Sequence, residues 1–78
     1  MPTVLRIAGY RFFFFSNEGT EPPHVHVERD DEYAKVWLQP VVVAWSKGFH
    51  RHEIAQIVWI VEANRRGFQE AWDDHFEH

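Results

Sequence analysis

Two runs of strand-forming residues, HVHVER at 24–29 and EYAKVWL at 32–38, flank the pair Asp30-Asp31. Aspartate tolerates left-handed backbone better than most residues, and two-residue loops commonly join antiparallel strands, so the stretch predicts a tight hairpin. Its register follows from the loop length. Arg29 faces Glu32, Glu28 faces Tyr33, Val27 faces Ala34, His26 faces Lys35, Val25 faces Val36 and His24 faces Trp37. Side chains alternate along a strand, so Val25, Val27, Ala34, Val36 and Leu38 share one apolar face, which must look toward the core. The opposite face carries His24, His26, Glu28, Tyr33, Lys35 and Trp37, and the expectation is that it stays open.

A second hairpin is predicted upstream. VLRI at 4–7 and YRFFFF at 10–15 are separated by Ala8 and Gly9, a two-residue loop with glycine where a primed turn needs it. With aromatic rings on both of its faces, the 10–15 run reads as a central strand covered on both sides. SNEGTEPP at 16–23 reads as a loop. Beyond Pro40, VVVAWSKGF at 41–49 is ambiguous between extended and helical structure, and a short helix or turn over 41–46 is favoured.

From His50 the apolar period lengthens. Ile54, Ile57, Val58, Val61, Arg65, Phe68, Trp72 and Phe76 recur at three- and four-residue spacings, as in an amphipathic helix. Unbroken, that helix would run about 40 Å against strands of about 20 Å. Either it breaks near NRRG at 64–67, or Phe68, Trp72 and Phe76 pack on a second copy in a homodimer. The fold class expected is α+β: a small antiparallel sheet of two β-hairpins, about four strands, packed against a long or kinked C-terminal α-helix.

With 78 residues and no cysteine, the chain is one domain that must rely on packing of large rings, which make up 17% of it. No apolar run is long enough to span a membrane and no leader pattern opens the chain, so a cytoplasmic protein without a membrane partner is expected. A formal net charge of -4 withholds the overall basic footprint of a duplex-binding domain, so any nucleic-acid contact must be local.

PPHVHVE at 22–28, AKVWL at 34–38, Gly48, Glu53 and EAW at 70–72 occur in order along nearly the whole chain. In these residues the sequence resembles a family of short bacterial proteins known as domain of unknown function 4160. Where that family commonly carries glycine at the hairpin turn, this chain has Asp30 and Asp31. The resemblance implies a component of a two-gene operon of the toxin-antitoxin kind, with a small cognate protein encoded nearby. Its family-like positions here are Pro23, His24, His26, Glu28, Lys35 and Trp72, and it attaches no reaction to them.

Three chemistries fit the histidine face. The first is an RNA-directed effector in which His26 transfers a proton, Lys35 stabilises phosphate charge, and His24 and Glu28 support them. Tyr33 and Trp37 would stack bases and Arg11 would extend a positive patch. The second is a partner-binding module without chemistry, antitoxin or interaction domain, relying on tryptophan and tyrosine. The third is a metal-dependent activity, since histidines two apart on a strand point the same way. Lys35 opposite His26 opposes a dication there, so no metal and no cofactor is expected. Against all three stands the plain reading of a polar strand face. His50 and His52, about 200° apart on a helix, would not act together, and Glu70 and Trp72 read as packing or interface.

Overall fold

The computed structural model describes residues 3–15 and 19–76. Ser16, Asn17 and Glu18, part of the expected loop, lie outside the described residues. Five strands form one sheet in chain order, each antiparallel to the next: β1 (Thr3–Ile7), β2 (Tyr10–Phe13), β3 (His24–Arg29), β4 (Glu32–Leu38) and β5 (Val41–Lys47). Helices α1 (Arg51–Ala63) and α2 (Arg65–His75) complete an α+β domain.

The hairpin of β3 and β4 has the register expected from its two-residue loop, pair for pair from Arg29↔Glu32 to His24↔Trp37. Asp30 takes the left-handed position, with φ 54°. At the first hairpin both Ala8 and Gly9 are left-handed, at φ 54° and 83°. Glycine adopts that conformation freely, whereas alanine does so at a cost. β2 is central, as its double-sided aromatics require, with Phe12 and Phe13 both buried.

The sheet has one strand more than expected, because residues 41–47 extend β4 rather than forming a helix or turn. The three valines at 41–43 favour a strand; a bulge hid it, since Lys35 pairs with Trp45 while the adjacent Val36 pairs with Val43, leaving Ala44 as the extra residue. A bulge breaks the two-residue alternation by which a strand is read. Gly48, at φ 91°, then ends the sheet where an added Cβ would lie 2.9 Å from Glu32 Cγ.

The core lies between the sheet and the helices. Tyr10, Phe12, Val25, Val27, Ala34 and Val36 present it from the strands, and Ile57, Ile60 and Val61 from α1. Glu53 anchors the start of α1, accepting a 2.7 Å hydrogen bond from the His50 N–H and an ion pair from Arg29 of β3. The helix does not run unbroken. Asn64 leaves helical geometry at φ -113°, ψ 15°, and its side-chain amide donates to the Ile60 carbonyl at 2.8 Å. That break turns α2 back over the sheet, so Phe68 packs on Phe12 and Trp72 on Phe14. Phe68, Trp72 and Phe76 are therefore buried within their own chain. The overhang that suggested a homodimer through these three residues does not exist.

Candidate functional site

The sheet face opposite the Val25, Val27 and Val36 core carries two informative rows. Arg6, Arg11, Glu28, Tyr33 and Lys47 stand side by side across the five strands. Next to them run Phe13, His26, Lys35 and Trp45. All seven residues singled out from the sequence, His24, His26, Glu28, Lys35, Tyr33, Trp37 and Arg11, belong to this face.

They share a face, but it is not open at the histidines. His24 is 0% and His26 3% exposed, which corrects the expectation drawn from alternation alone. Alternation decides the side to which a residue points; what lies on top comes from elsewhere in the chain. The His26 ring is flanked by Phe13 at 5.5 Å and Tyr33 at 5.6 Å between centroids, with Phe15 edge-on at 4.5 Å. His26 Nδ1 and the Tyr33 hydroxyl share a 2.5 Å hydrogen bond. His24 meets Trp37 and, from α2, Trp72 at 4.9 Å. Its Nδ1 lies 2.9 Å from the Pro22 carbonyl oxygen; a carbonyl can only accept, so this ring nitrogen carries the proton.

The charged members are also partnered. Lys35 donates to Glu21 at 2.7 Å and lies 4.6 Å over the Trp37 ring. Arg11 donates to Glu28 at 2.8 Å and covers Phe13 at 4.4 Å. Among the described residues no buried side-chain nitrogen or oxygen lacks a hydrogen-bond partner. Buried polar groups are costly unless satisfied, so the seam is built to be stable. Its histidines would have to be uncovered before a substrate atom could touch them.

Toward β5 the same face opens. Trp45 is 49% exposed and lies 5.1 Å from Tyr33, its ring tilted by 55°. Lys47 stands opposite Tyr33, and Lys35 opposite Trp45. Trp45 and Lys47 were missed by sequence reasoning because residues 41–46 were not read as a strand. Strand register would have brought them in beside Tyr33.

Two further placements bear on function. Among the described residues no three histidine or carboxylate side chains are grouped to hold a metal ion. His50 and His52, set apart on helical geometry, in fact stack at 5.9 Å with planes 6° apart. His50 precedes the helix in extended backbone, φ -75° and ψ 163°, so the helical angle does not apply to it.

The chain matches one family model over residues 9–73, that of DUF4160, a domain of unknown function. It belongs to that family. The matched span contains every residue of the covered seam and the pair of half-buried Tyr33 and exposed Trp45, so both lie within the family's own domain. No curated protein and no solved structure matches the chain. No described helix is long and apolar enough to cross a membrane.

Proposed function

We propose that this DUF4160 chain holds single-stranded RNA on the outer face of its sheet, as one member of a two-gene module of the toxin-antitoxin kind. The observation that carries the binding surface is the exposed Trp45 beside the half-buried Tyr33, flanked by lysines on the cationic side of an acidic chain. Arg6, Arg11, Lys35 and Lys47 gather on this face against Glu28 and Glu21. Helices α1 and α2, by contrast, carry five carboxylates against three arginines. A net charge of -4 thus leaves a locally positive platform. Stacking on aromatic rings tolerates any base, and cations beside the rings track the backbone.

The two-gene setting rests on the family resemblance. Proton transfer by His26 is not part of the proposal, because a ring 3% exposed cannot meet a phosphodiester. His26 instead positions Tyr33, and Lys35 and Arg11 exchange their surface carboxylates for phosphate. The carboxylates released, Glu28 and Glu21, are 42% exposed and return to water when phosphate takes their place.

Fluorescence anisotropy with a labelled single-stranded oligoribonucleotide tests the reading. Base stacking of about 1–3 kcal/mol predicts that Trp45→Ala weakens binding about 5- to 150-fold. Engagement of two to four cations predicts a log-log salt slope of about -1.4 to -2.8. Absence of binding at low salt, or binding indifferent to Trp45→Ala, would sink it. Cleavage of the oligonucleotide would restore the enzymatic reading.

A protein-binding role is the second reading, favoured by one observation on the other layer: Trp59 of α1 is 69% exposed.

A further inference from the structure

Trp59 lies on the side of α1 away from the core. Ile57, Ile60 and Val61 point to the sheet, while His52, Ala55, Trp59, Glu62 and Ala63 are exposed. The tryptophan is thus bracketed one turn before and one turn after by alanines, on the same helical stripe. Small residues on either side of a large one let a second helix approach to the short end of the 8–10 Å interaxial range, with the ring seated on the other helix's alanine. A charge stands at each end of the stripe, Arg51 with His52 beside it at the N-terminal end and Glu62 at the C-terminal end.

We infer that this face of α1 docks a second copy of the chain, α1 antiparallel to α1. The pattern is self-complementary about a two-fold axis beside Ile57. Laid antiparallel there, Trp59 of each copy covers Ala55 of the other, and Glu62 of each falls opposite Arg51 and His52 of the other. An isologous contact requires such matching of a patch to itself. A parallel arrangement would oppose like charges at both ends, which is unfavourable. At thirteen residues, α1 is about 20 Å long, so the interface falls at the small end of the size range and the dimer should be micromolar. The contact uses the helical layer, leaves the outer sheet face of both copies accessible, and does not depend on the RNA reading.

Sedimentation velocity on the purified chain, from about 1 µM to about 500 µM, should show a reversible monomer-dimer equilibrium. Loss of a central interface tryptophan predicts that Trp59→Ala raises the dissociation constant at least about 30-fold. Glu62→Arg alone should also weaken the dimer, by setting arginine opposite arginine twice. Combining it with Arg51→Glu should restore affinity to within about threefold of the starting chain, as expected of a direct charge pair. Circular dichroism melts of all variants, taken well below the dissociation constant where the chain is monomeric, should coincide, since these side chains are exposed. A chain monomeric throughout, one that binds only a different protein, or a dimer indifferent to Trp59→Ala and to the charge exchange would each overturn the inference.

Discussion

Replacing His26 separates a covered seam from an open catalytic face. The ring is 3% exposed and fills the space between Phe13 and Tyr33, with Phe15 across its edge. In His26→Ala the ring is lost, a cavity opens beneath Phe15, and the Tyr33 hydroxyl loses its 2.5 Å partner. Truncation of a buried aromatic ring to alanine costs about 3–5 kcal/mol. Imidazole is smaller and Tyr33 keeps access to water, so about 2–4 kcal/mol is expected for His26→Ala. For a domain of this length each kcal/mol is worth about 4–8 °C, so the melting temperature should fall by at least about 8 °C. His26→Phe keeps the stack and removes the hydrogen bond to Tyr33, for which about 0.5–1.5 kcal/mol is the usual net loss. Urea denaturation at fixed m-value reads both. A shift below about 0.5 kcal/mol for His26→Ala, the usual surface value, would refute the burial and reopen the catalytic role.

Ala8→Gly should stabilise the chain by about 0.5–1 kcal/mol, because the left-handed conformation at φ 54° costs alanine about 1–2 kcal/mol and glycine's extra freedom returns only part of it; an unchanged or lower denaturation midpoint would speak against the turn geometry. Trp72→Ala should cost about 3–5 kcal/mol as a core truncation against Phe14 and His24, measured by thermal melting at several protein concentrations. A loss that appears only where the protein is dimeric would return Trp72 to an interface role.

The β3-β4 hairpin was legible pair by pair because a two-residue loop and strict alternation leave no freedom of register. β2 was legible because only a central strand hides rings on both faces. β5 was not, since the extra residue at Ala44 shifts the alternation between Val43 and Trp45. The helix break falls within the expected stretch, at Asn64, while Gly67 lies inside α2. The cover over the histidines was the least readable part. It comes from Phe15 and Trp72, far from the histidines in sequence, and from the carbonyl of Pro22 in the loop just before β3, none of which a strand period records. Because β5 was unread, Trp45 and Lys47 stayed apart from Tyr33, and the exposed part of the face was underestimated while its buried part was taken for the site.

The four tryptophans provide a built-in map of the surface: Trp37 and Trp45 on the outer sheet face, Trp59 on the outside of α1, and Trp72 in the core. Each indole N–H yields one resonance in a proton-nitrogen correlation spectrum. Titrating the labelled chain with a single-stranded oligoribonucleotide should shift or broaden the Trp45 signal first and most, leaving Trp59 and Trp72 where they are. Movement of Trp59 with Trp45 unchanged, or no movement at saturating oligonucleotide, would contradict the claim that the outer sheet face is the RNA-binding surface.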